Sequence, residues 1–220
     1  MPTGKHTQGA SPRKERWWWI GDWWPYGRSL VVAFWRRGQL WPWLLALAPV
    51  AVVLVARHFG WHRLGGPPSK NTYEAMAVPL TAAATFAWLL RAAVSRSRMA
   101  LVIAVQAAVF CCREIHFTGT HHGVFVATGF VAAWALVWAW VRRDLLLPET
   151  EDWRQISWLV ATAAAYAVAM IIQRRAFKWI PGEQAVHVPL EEAAETMAHM
   201  MLLAAALIGT WRRDRTQIVA

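Results

Sequence analysis

From residue 187 to residue 199 the chain reads His-Val-Pro-Leu-Glu-Glu-Ala-Ala-Glu-Thr-Met-Ala-His, acids and imidazoles inside an apolar stretch. At about 100° per residue, Glu191, Glu195, His199 and Glu192 fall at roughly 0°, 40°, 80° and 100°, a single narrow helical face. With a rise of about 1.5 Å per residue, His199 lies roughly 12 Å deeper than Glu191. Carboxylates and an imidazole in file are the groups of acid–base chemistry and of divalent-metal ligation. Glu74, the run Arg113-Glu114-Ile115-His116, and His58, His62, His121 and His122 offer more of the same kind.

Two metal arrangements follow. In the first, Glu74, His116, Glu192, Glu195 and His199, with Glu114 and Glu191 in reach, form a mono- or dinuclear centre for a divalent metal, zinc or iron. Helix bundles build such centres by projecting Glu and His inward from facing helices. Glu195 and His199 are i, i+4 rather than the i, i+3 pair of the di-iron bundle, so the match is partial. In the second, His58 and His62, also i, i+4, join His116, His121 or His122 around a zinc with an open position that activates water. The plainer reading of His58 and His62 is two solvated interfacial residues. Bis-imidazole haem ligation is arithmetically possible, but nothing singles out a pair. In a catalytic reading Glu114 is a ligand or general base, and Arg113 clamps an anion or lipid headgroup.

Each group also has a structural explanation. Pro189 suits a helix start, and Glu191 and Glu192 then offset the helix dipole. Asn71 followed by Glu74 is a capping-box spacing. Arg113 and Glu114 could neutralise partners across helices. Glu114 and His116 point about 160° apart on a continuous helix, so both reach one site only if the helix ends between them. Glu195 and His199 lie past the first turn and escape these explanations.

The elements that must position these groups read as membrane spans. The 220 residues are 57% hydrophobic and 16% charged, with the apolar residues in long blocks, too apolar for an ordinary soluble domain. The expected fold is all-α, a polytopic transmembrane bundle of about six spans: 41–56, 72–94, 99–113, 124–141, 156–172 and 189–209, with a kink at Pro49. Residues 1–16 read as a disordered basic tail without the features of a cleaved signal peptide. Residues 17–40 read as a Trp-rich interfacial segment, 41–211 as the six-helix domain, and 212–220 as a short tail. Most of the seventeen tryptophans fall near block ends, where an indole sits at the headgroups. The adjacent Cys111 and Cys112 read as free thiols, since a disulfide between neighbours is strained.

The net charge of +10 suits basic loops that meet anionic lipid, and no basic stripe with interleaved aromatics suggests nucleic acid. Lys and Arg number sixteen on the side of the two termini and seven on the other, so both termini are expected in the cytoplasm. Glu74, Glu114, Glu195 and His199 then share the outer end.

The stretch Cys112-Arg113-Glu114-Ile115-His116-Phe117, with Glu191-Glu192-x-x-Glu195, resembles an uncharacterised group of bacterial polytopic membrane proteins. That group has an Arg-Glu pair followed by an aromatic and a His, and a Glu-rich start to the last span. This chain departs from it in the order of residues after Glu114. The resemblance implies a multi-pass bacterial inner-membrane protein and brings no established activity.

The leading functional expectation is an extracytoplasmic-side Glu/His/Arg site doing metal-dependent chemistry on a lipid or other amphiphile, with membrane lipids as partners. The alternative is a non-catalytic accessory subunit that packs against other membrane-protein subunits through its alanine-rich spans. The third is a transporter or proton relay, which needs a polar continuation into the cytoplasmic half, where only Thr81, Thr85 and Gln106 offer one.

Overall fold

The computed structural model describes residues 28, 31–32, 34–60, 70–115, 121–141, 152–176, 178–179, 184 and 186–211, and every regular element among them is helical. The chain divides into two compact units, residues 1–36 and 37–220. In the first, Val31, Val32 and Trp35 are helical and exposed. The expected tail 1–16 and most of the expected interfacial segment lie outside the described residues, as do His62, His116 and residues 212–220.

The second unit contains α1 (Trp41–Phe59), α2 (Lys70–Ser95), α3 (Arg98–Glu114), α4 (His121–Val141), α5 (Trp153–Gln173) and α6 (His187–Leu207). Every boundary falls within three residues of the corresponding expected span. Two of these helices, α2 with 26 residues and α5 with 21, are long and apolar enough to cross a membrane. By contrast, α3 has 17 residues, and α6 carries three glutamates in its first nine.

Local sequence explains where the helices start and stop. Ser97 caps α3 by accepting from the Ala100 N–H at 3.1 Å, and Asp152 caps α5 by accepting from the Gln155 N–H at 3.2 Å. Each such cap stabilises its helix by about 1 kcal/mol. The expected capping box at Asn71 does not form. Helix α2 already begins at Lys70, so Asn71 is inside it, and Glu74 pairs instead with Lys70 at 3.4 Å. Both α1 and α2 run through a proline, Pro49 and Pro79, each of which removes one i→i−4 backbone bond.

Helix α6 is the hub: α1, α2 and α5 all pack on it. Helix α2 also packs on α3, and α1 on α5, while α4 packs on α3. The contact surfaces are lined with alanine: Ala84, Ala87, Ala100, Ala104, Ala107, Ala161, Ala165, Ala198, Ala205 and Ala206 are all buried. Small side chains let helix backbones approach closely. Buried hydroxyls bond back into their own helices, Thr81 to Ala77 O at 2.8 Å, Thr162 to Trp158 O at 2.7 Å and Ser157 to Trp153 O at 2.7 Å. No polar atom of theirs is left over in the core.

Candidate functional site

The backbones of α3 and α6, and those of α3 and α5, are not close-packed among the described residues, although α2 touches both α3 and α6. The space between α3 and the α5–α6 pair is bridged by polar side chains. Arg113, in the last turn of α3, donates from Nη2 to Glu195 Oε1 on α6 and lies 3.7 Å through Nε from its neighbour Glu114. His199, one turn beyond Glu195, is fully buried, with Nε2 3.6 Å from Glu114 Oε1. Its other nitrogen, Nδ1, is 2.7 Å from the hydroxyl of Tyr166 on α5. The Tyr166 ring stacks on Phe110 of α3 at 4.4 Å between centroids, which closes the circuit back to the helix of Arg113 and Glu114.

The sequence places these groups by helical period. On α3, Phe110 and Arg113 are i, i+3, and Phe110 and Glu114 are i, i+4, so all three share a face. On α6, Glu195 and His199 share a face for the same reason. Three helices thus aim a guanidinium, two carboxylates, an imidazole and a phenol at one another. At 3.6 Å, His199 Nε2 and Glu114 Oε1 are too far apart for a formed hydrogen bond but close enough for one after a small side-chain movement. An imidazole between a carboxylate and a phenol can take a proton on one nitrogen and give one from the other.

Toward the start of α6 the polar groups continue to the surface. His187 and Glu191 pair at 3.4 Å. Glu192 lies within electrostatic reach of Glu195, Lys70, Glu191 and Glu74, which places the beginnings of α2 and α6 beside each other. Side-chain exposure falls from 40% at Glu74 through 15% at Glu195 and 8% at Glu114 to 1% at His199. Of the residues singled out in the sequence, Arg113, Glu114, Glu195 and His199 stand together, while Glu74 pairs with Lys70 and Glu192 lies between the two groups.

Other expectations fare differently. Among the described residues no three His, Cys, Asp or Glu stand close enough together to hold a metal ion. The Glu195 carboxylate is committed to Arg113, and that pairing leaves Arg113 neutralised rather than waiting for an anion. His58 is exposed at the end of α1, its ring edge-on to Phe59. Cys111 and Cys112 are free thiols, as expected.

Sequence reasoning missed Tyr166. It stands alone in an alanine-rich helix, and the available signal was that a lone phenol at mid-span needs a partner. It also missed Arg91, counted only as a loop charge. Arg91 is buried near the end of α2, four residues before its last residue. Nη1 donates to Ala206 O at 2.8 Å and Ile208 O at 2.6 Å, and Nη2 to Thr210 O at 3.0 Å. The guanidinium also lies over the Trp88 and Trp211 rings, at 5.8 and 5.6 Å. Asp152 completes this second cluster by accepting from the Thr210 N–H at 2.9 Å. Arg91 thereby ties off carbonyls at and just past the end of α6, at the end of the bundle opposite Arg113. No protein-family model, curated protein or solved structure matches the chain.

Proposed function

We propose that this chain is a multi-pass membrane protein whose helices α1 to α6 cross the bilayer, and that its function is proton exchange at the cluster of Arg113, Glu114, Glu195, His199 and Tyr166. The membrane reading is supported by an inverted distribution of size. Alanine fills the helix contacts, while Leu44, Phe86, Phe130, Trp134 and Val137 point outward, Phe130 with 73% of its surface exposed. In water such a surface drives aggregation, whereas acyl chains solvate it. The excess of Lys and Arg on the side of the termini supports an extracytoplasmic position for the cluster, in a cytoplasmic-type inner membrane.

The observation that carries the proton reading is the order of depth. Acids become steadily less exposed from Glu74 through Glu195 to Glu114, and the series ends on an imidazole with a phenol behind it. Ionisable groups in a bilayer are costly, so a file of them that reaches the surface at one end is a route for a charge to enter. Arg113 offsets the carboxylates and holds Glu195 in place, a positioning task. Glu114 and Tyr166 face the two nitrogens of His199, the group that accepts and returns the proton.

Nitrogen-15 spectra of the histidine-labelled protein in lipid bilayers test this reading, with His199→Gln identifying the signal. The expected result is that the His199 imidazole changes protonation state as the outer pH is lowered, and that Glu114→Gln alters the response. An imidazole held in one protonation state over the whole pH range in which the protein is folded overturns it.

A further inference from the structure

Midway along α3, Gln106 buries both its amide nitrogen and its carbonyl oxygen with no hydrogen-bond partner among the described residues. A buried carboxamide without partners is held in place by water or by a ligand's polar group. Gln106 stands one turn from Phe110, whose ring lies on Tyr166, and on the same face as Arg113. Counting about 1.5 Å per residue, it is roughly 12 Å below Glu114 and roughly 12 Å above the start of α3. On α5, two turns below Tyr166, Trp158 packs edge-on with Trp41 of α1 at 4.8 Å between centroids, and its indole N–H is likewise buried without a hydrogen-bond partner among the described residues. Between them Thr162 is buried, its hydroxyl bonded to Trp158 O. Polar atoms therefore recur past His199 in the half of the bundle where the sequence offered only Thr81, Thr85 and Gln106.

We propose that a file of water along Gln106 and Trp158 extends the site of His199 into a proton path through the bundle. The proposal rests on the proton-exchange reading of the cluster and adds an exit to it. One proton arrives at His199 Nε2 from the Glu114 side, forming an N–H bond. The Nδ1 proton passes to the Tyr166 oxygen as the Tyr166 O–H proton leaves to water at Gln106, so one proton enters and one departs. The phenol hydroxyl then rotates back toward the water at Gln106, and a flip of the imidazole ring lets that water take the Nε2 proton and give one to Nδ1, which restores the starting state with no further net transfer. The charged and titratable groups around His199 are Arg113 and Glu114 from α3, Tyr166 from α5 and Glu195 from α6, with Glu74 and Lys70 of α2 acting further up through Glu192.

The test is proton flux in vesicles that contain the full chain and an internal pH-sensitive dye, with potassium and valinomycin supplying the balancing charge. The natural protein is expected to equilibrate an imposed pH difference faster than protein-free vesicles. Gln106→Leu replaces a buried polar side chain with an apolar one of similar size, so the fold is expected to tolerate it. Its flux should fall about tenfold or more, since the link to water is lost, while the His199 nitrogen-15 signal still responds to pH. Gln106→Asn should retain flux above the Leu variant. Flux in the natural protein no faster than in empty vesicles, or unchanged in Gln106→Leu, overturns the path. If His199 still exchanges its proton, either result removes the path and leaves the one-sided site standing; a silent His199 removes both.

Discussion

At Arg113 the chain places a largely buried charge in the bundle, which is tolerated because Glu195 and Glu114 are there to meet it. Removing one member of a buried ion pair leaves the other uncompensated, which costs about 3–5 kcal/mol. Arg113→Met is therefore expected to lower thermal stability in detergent sharply. The double variant Arg113→Met/Glu195→Met should regain most of the loss, because neither charge is left alone. Equal destabilisation by the single and double variants would mean the two side chains act independently. His199→Phe should cost about 1–3 kcal/mol by orphaning the Tyr166 hydroxyl, and adding Tyr166→Phe should recover part of it. At this scale the sequence was half legible. Glu114, Glu195 and His199 announced themselves because acids and imidazoles are out of place in an apolar helix. Tyr166 did not, because a phenol is ordinary among apolar residues until its hydroxyl is traced to a partner. Nor did one-dimensional spacing indicate that Glu195 is held by Arg113, since that depends on how far apart α3 and α6 stand.

The helices themselves were the most legible level. Apolar blocks of the right length, bounded by Ser97, Asp152, basic turns and Gly/Pro segments, define α1 to α6 to within a turn. What pins their far ends was hidden. Gly209 follows α6 with φ +89°, and a Cβ there would collide with Asp152 Oδ2. That backbone conformation is natural to glycine and strained for any other residue. Gly209→Ala is expected to destabilise the protein by more than the roughly 1 kcal/mol typical of such a backbone conflict, because the Asp152 carboxylate must also leave the Thr210 N–H. Asp152→Ala should approach the same loss through the α5 cap alone, about 1 kcal/mol or more, read as a drop in melting temperature. A glycine variant as stable as the natural chain would mean that this turn rearranges freely. The hidden part is a matter of sequence separation: Asp152 and Thr210 are 58 positions apart, and Arg91 and Thr210 are 119 apart.

For the molecule as a whole, the fold class was readable because composition and block length restrict so apolar a chain to helices. Whether α2 crosses a bilayer, as proposed, is a separate matter, and labelling decides it. With Cys111 and Cys112 replaced by serine, single cysteines at Lys70 and at Arg96 should react with an impermeant maleimide from opposite sides of sealed vesicles. Labelling of both from the same side would contradict a crossing by α2. The alanine contacts have one further consequence. Surfaces made of methyl groups resemble themselves at every turn, so two such helices lose little when one slides along the other by about 5 Å. Alignment of the bundle must then come from a few bulky or charged keys: Trp88 donating to Leu202 O at 3.0 Å, Arg91 gripping the end of α6, and Arg113 joined to Glu195. A chain stripped of those keys should keep its helix content yet show many interhelical registers, which spin-label distances between α2 and α6 would reveal as a broad spread instead of one peak.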